Sequence, residues 1–120
     1  MGARRLRIRV VEIQGKCPVY RLGDELIIED GYQLVCQRAV CLHALQSLNP
    51  YYVALSRGIA PSELGIAGRD GAAYVQCLDP QRYTAGGTVT FRVEIESQGK
   101  GGERIPQNEK RKRQNLNCEP

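Results

Sequence analysis

Residues 88–96 read TVTFRVEIE, with Val89, Phe91, Val93 and Ile95 alternating against Thr88, Thr90, Arg92, Glu94 and Glu96. A period of two is the mark of a strand with one face buried and one in water. The start of the chain repeats it, with Leu6, Ile8 and Val10 set between Arg5, Arg7 and Arg9. If the two strands pair, the outward arginines of the first face the outward glutamates of the last, each pair contributing about 0.2–1 kcal/mol. Shorter strands are expected at Glu25–Glu29 and Ala73–Cys77, set off by the turn pairs Gly23-Asp24, Asp30-Gly31 and Asp70-Gly71.

Between these strands the apolar period changes. Cys41, Leu45, Leu48, Tyr52 and Leu55 recur at steps of four and three, the spacing of one helix face. Pro50 interrupts a single rod. Asn49 before Pro50 predicts a cap with proline at the first helical position, and Gly58 predicts a stop, so two short helices are expected at 37–48 and 50–57. The expected fold is α+β, a small, mainly antiparallel sheet covered by a kinked helix or helical hairpin.

The 120 residues are enough for one domain, and their 42% apolar and 25% charged content is that of a globular chain. The longest apolar run is the five residues Tyr51–Leu55, against about 20 for a spanning helix and about 7–15 for the core of an export signal. Membrane insertion and secretion are therefore not expected, and a cytoplasmic, reducing setting is. Charge is uneven: residues 1–96 carry a net +1, whereas residues 97–120 carry +3. That last segment holds the run Lys110-Arg111-Lys112-Arg113 and only Ile105 and Leu116 as large aliphatics. Such a composition buries too little to offset ordering entropy, so residues 1–96 are expected to form the globular domain and 97–120 a basic flexible or partner-ordered tail.

Five cysteines carry most of the chemical information. Cys17, Cys36, Cys41 and Cys77 are spaced C-x18-C-x4-C-x35-C, and Cys118 lies in the tail. There is no C-x-x-C pair, so neither a zinc ribbon nor a thioredoxin-like redox pair is encoded, and the ferredoxin run is missing as well. The local setting says more. Cys17-Pro18 follows the first strand, Cys41 opens a helix, and Cys77-Leu78-Asp79-Pro80 ends a strand. Residues at the ends of separate elements can converge at one edge of a small sheet and cage a metal with thiolates. Against this stands plain packing, since free cysteine is a common core residue and Cys41 shares its face with Leu45 and Leu48. Cys36 lies about 140° around an ideal helix from Cys41, so both bind one metal only if Cys36 precedes the helix. His43 points about 200° from Cys41, a surface position that also argues against a Cys–His nucleophilic pair. Asp79, two residues past Cys77, is placed to orient such a site from outside the ligand set.

No phosphate-binding glycine pattern is present, so nucleotide binding is not supported. The other aspartates sit in turn sequences, and Tyr52 is expected to pack while Tyr51 stays half exposed.

The segment Cys41 to Gly58 fits C-x-x-A-x-x-x-L-x-P-Y-x-x-A-L-x-x-G through Cys41, Ala44, Leu48, Pro50, Tyr51, Ala54, Leu55 and Gly58. In this it resembles a family of small uncharacterised bacterial and archaeal proteins. The likeness continues upstream in Gly15, Cys17, Gly23 and Asp24. Downstream it meets a C-P-D-P-like element in Cys77, Asp79 and Pro80, where Leu78 departs from the usual proline. It spans roughly residues 6–96. The resemblance implies that Cys17, Cys41 and Cys77 are the recurring three, with Cys36 and Cys118 peculiar to this chain. Three such thiolates would suit a [4Fe–4S] cluster with one iron open, or a zinc site completed by water or by Cys36 as a fourth ligand.

The expected function is therefore metal binding, foremost an iron–sulfur cluster held by Cys17, Cys41 and Cys77, with Asp79 beside it. Its redox, sulfur-transfer or Lewis-acid role, its small molecule or redox partner, and any homo-oligomer remain open. Two other classes compete: an interaction module holding an acidic partner or RNA through the basic tail, its cysteines structural or zinc-bound, and a cysteine redox switch. The absence of tail aromatics weighs against nucleic acid.

Overall fold

The computed structural model describes residues 2–36 and 38–96. The expectations for the basic tail and Cys118 lie outside them. Five strands are described: β1 (Leu6–Gly15), β2 (Glu25–Glu29), β3 (Gln33–Cys36), β4 (Ala73–Gln76) and β5 (Gly87–Ile95). They form one antiparallel sheet in the order β3-β2-β1-β5-β4. The helical elements are short: α1 (Leu42–Leu48), α2 (Tyr52–Ser56), a 3-10 turn at Pro61–Leu64 and α3 (Gln81–Thr84). The architecture is α+β.

The first and last strands lie side by side at the centre, as their alternation predicts, with Leu6 opposite Ile95 and Val10 opposite Phe91. Between Val10 and Glu12 the register slips by one residue. This bulge leaves Val11 partly exposed and sets Ile13 opposite Val89, so the apolar set passes from even to odd positions without leaving the inner face. Leu6, Ile8, Val10, Leu26, Val75, Val89, Phe91 and Val93 make the buried cluster on that face, joined by Ala44, Leu48 and Leu55 from the helices.

The outer face is an ion-pair ladder. Arg5 bonds Glu29 at 3.1 Å and Glu96 at 3.4 Å, Arg7 bonds Glu96 at 2.7 Å and Glu25 at 2.9 Å, and Arg9 bonds Glu25 at 2.7 Å. Sequence reasoning assigned these partners to the last strand, whereas Glu25 and Glu29 come from β2. Arg9 in fact stands opposite Arg92, which turns the other way to Asp70 and Glu94. Its arginines are thus engaged in ion pairs across the outer face of the sheet. The Arg9 hydrogen bond, then the nearby charge of Arg7, holds the Glu25 carboxyl below its ordinary range. A depressed carboxyl stabilises the fold above its unfolded pKa of about 4.3, and that stability is lost as pH falls through the lower folded value. Glu25→Gln is thus expected to lower the unfolding free energy measured in urea at pH 7 by less than about 1 kcal/mol, and to lower it less once pH falls below the folded value.

Three local expectations need correction. The strand β3 was not foreseen, and residues 38–40, expected within the first helix, are not helical and lead to an extended Cys41; residue 37 lies outside the described residues. Asn49 is helical at the end of α1, its N–H bonding the Leu45 carbonyl, and Tyr51 precedes α2 without a side-chain cap. Gly58 does stop α2, with a φ of 92° and a Cβ position that would meet the Arg4 guanidinium.

Candidate functional site

Two of the cysteines, Cys17 and Cys77, belong to the end of the sheet where β1 finishes, β4 finishes and β5 begins. Gly15 closes β1 at a φ of 85°, and a Cβ there would lie 2.3 Å from the Gly86 carbonyl oxygen, so only glycine lets the two strand ends meet. The Lys16 N–H then bonds the Gly86 carbonyl at 3.1 Å, which fixes the start of the loop carrying Cys17. Gly87 completes the junction: a Cβ on it would sit 2.7 Å from the Cys17 nitrogen.

Cys77 is anchored to the same strand. Its N–H bonds the Val89 carbonyl at 2.8 Å, its Sγ accepts the Val89 N–H at 3.3 Å, and its S–H faces the Gly87 carbonyl at 3.5 Å. Gly87 thus touches the Cys17 backbone and the Cys77 thiol. Cys17 Sγ accepts the N–H of Tyr20 at 3.3 Å. The Tyr20 hydroxyl in turn accepts the N–H of Cys41 at 3.0 Å, while its ring meets Phe91 edge to face at 5.5 Å. One chain of contacts therefore runs from Cys77 through Gly87 to Cys17, and through Tyr20 to Cys41 at the start of α1. Burial raises the Tyr20 pKa above its ordinary value; the Cys41 N–H opposes this, and the charges of Cys41, Cys17 and Asp24 add to it.

Cys17, Cys41 and Cys77 are free thiols, Cys77 buried and the other two half-buried. Cys36 is disulfide-bonded and buried in β3 opposite Leu26. A sulfur so bonded offers no thiolate until the bond is reduced. His43 is exposed, as its helix angle predicts, and both Tyr51 and Tyr52 are half-buried. Asp79 bonds the Thr84 hydroxyl with its carboxylate and the Thr88 hydroxyl with its carbonyl, and a Cβ on Gly86 would meet it. Its visible work is to shape the turn between Cys77 and β5. Tyr20 and Gly87 were not singled out from the sequence; a tyrosine in a loop and one of 13 glycines carry no spacing signal.

The thiols are linked, but no group of three His, Cys, Asp or Glu among the described residues stands in position to hold a metal ion. The donors suit a soft metal; closing a ligand shell asks their sulfurs to approach. A surface cavity of about 310 Å³ opens at the other end of β5, lined in part by Asp70, Glu94 and Glu96. Those carboxylates are bound to Arg92, Tyr74, Arg5 and Arg7, so it presents no uncommitted reactive group. No helix among the described residues is long and apolar enough to cross a membrane. Comparisons with protein-family models, with curated proteins and with solved structures find no match to this chain.

Proposed function

We propose that the protein binds a thiophilic metal centre, foremost an iron–sulfur cluster and alternatively zinc, through Cys17, Cys41 and Cys77. The observation that carries this reading is the pattern of N–H bonds into the thiol corner: Tyr20 to Cys17 Sγ and Val89 to Cys77 Sγ, each at 3.3 Å. A backbone N–H aimed at sulfur favours its charged form, the form that binds metal, and tunes any cluster the sulfur holds. The three thiols come from three separate elements, so metal would cross-link the β1 loop, α1 and β4. In this reading α1 and α2 form a bent cover over the inner face of the sheet, with Ala44, Leu48 and Leu55 in its buried cluster.

Protein purified without oxygen is expected to contain stoichiometric iron with a broad visible absorbance, or stoichiometric zinc without colour. Cys17→Ser/Cys77→Ser is expected to lose the metal while keeping its circular dichroism spectrum. Metal-free, colourless wild-type protein that takes up neither iron with sulfide nor zinc would overturn the reading.

A further inference from the structure

We infer that the segment 97–120 docks across the outer face of β2 and β3 and is fastened there by a Cys36–Cys118 disulfide, a clamp set by the redox state of its surroundings. The inference stands apart from the metal-binding reading. Cysteine arithmetic opens it. The chain has five; Cys17, Cys41 and Cys77 are free thiols and Cys36 is disulfide-bonded, so within one chain Cys118 alone is left to pair with it.

The outer face itself calls for a cover. Arg7 stands opposite Ile27 and Ile27 opposite Val35, which places Val35 on the side of the ion-pair ladder, while the helices give Ala44, Leu48 and Leu55 to the other side. An antiparallel sheet ordinarily leaves such a face to water. Val35 is nonetheless 4% exposed, and it is not one of the inner-face cluster. Glu29 lies on the same outer face and is 5% exposed. The Arg5 Nε–H donates to its Oε1 at 3.1 Å, whereas its buried Oε2 has no hydrogen-bond partner among the described residues. A buried carboxylate oxygen without a donor is costly. Lys110-Arg111-Lys112-Arg113 can supply the donor, and Ile105 and Leu116 the apolar cover for Val35.

The path is short. Glu96 leaves the sheet beside β1, its N–H on the Arg5 carbonyl at 2.9 Å and its carboxylate on Arg5 and Arg7 of the outer face. From β5 across β1 and β2 to β3 is three strand spacings, roughly 14 Å. The 22 residues from Glu96 to Cys118 can reach about 70 Å. Closing the bond converts two protein thiols and one small disulfide, such as oxidised glutathione, into one protein disulfide and two small thiols; a dithiol reverses it and frees the basic run. In a reducing compartment a bond of this kind is transient, which makes it a switch and not a staple.

The full chain, equilibrated with oxidised glutathione, alkylated and mapped by mass spectrometry without reduction, tests the bond. One link is expected, Cys36 to Cys118 within a monomer, with Cys17, Cys41 and Cys77 alkylated. Cys36 found alkylated, joined to another cysteine or joined to a second chain would overturn the inference. Docking is read from the rate at which trypsin cuts at Lys110 to Arg113. Cys118→Ser and Glu29→Gln, the second keeping the shape of the side chain, are each expected to be cut about tenfold faster than oxidised wild type, the size of effect given by losing one hydrogen bond to a charged group. Glu63→Gln alters an exposed carboxylate on the 3-10 turn and is expected to match wild type. Equal rates in oxidised wild type and either of the first two variants would overturn the docking. An equal acceleration in Glu63→Gln would assign the effect to net charge and overturn it too.

Discussion

Phe91→Ala is expected to lower the unfolding free energy by about 3–5 kcal/mol, the range for deleting a fully buried aromatic side chain. Phe91 is 0% exposed and sits in the central β1–β5 pair opposite Val10. It is also the ring against which Tyr20 packs. A small domain has about 5–15 kcal/mol in total, so the change removes a large share of it. Urea denaturation followed by circular dichroism measures the loss. A shift below about 1 kcal/mol would mean that the surrounding core is not packed as described.

Gly87→Val is expected to have the second large effect, and a double one. Its first added carbon would lie 2.6 Å from the Lys16 carbonyl carbon and 2.7 Å from the Cys17 nitrogen, both backbone atoms that cannot swing away. Overpacking of this kind costs about 1–3 kcal/mol, occasionally more. The displaced element is the loop that carries Cys17, so metal affinity is expected to fall along with stability. Gly71→Ala gives the comparison: its φ of 85° brings the strain of a left-handed residue, but no atom lies within 4 Å of the added carbon. It is expected to lower stability without changing metal affinity. Matching losses of affinity in both variants would disconnect Gly87 from the site.

The sheet was readable where one face meets water. In β1 and β5 the apolar positions alternate with arginine, glutamate and threonine, and that contrast marks strand, face and pairing together. β3 was not readable, because Leu34, Val35 and Cys36 form an unbroken apolar run with no period to distinguish strand from helix. The same ambiguity drew the first helix back to residue 37. Asn49-Pro50 carried an N-cap signal that tertiary packing overrode: Asn49 caps the C-terminal end of α1, and Leu48 on one side and Leu55 on the other are held in the same buried cluster. At the candidate site the three cysteines could be placed at element ends from turn residues and periodicity alone. The groups that connect them could not. Tyr20 reaches Cys41 across 21 positions, and Gly87 touches Cys17 from the opposite end of the chain. Such contacts exist only once the sheet has brought its ends together.

X-ray absorption at the metal edge of protein loaded without oxygen addresses the thiol corner itself. The expected result is a shell of sulfur at about 2.3 Å from the metal, diminished in each of Cys17→Ser, Cys41→Ser and Cys77→Ser. A shell made only of nitrogen and oxygen, or one unchanged by all three substitutions, would contradict a centre held by these residues.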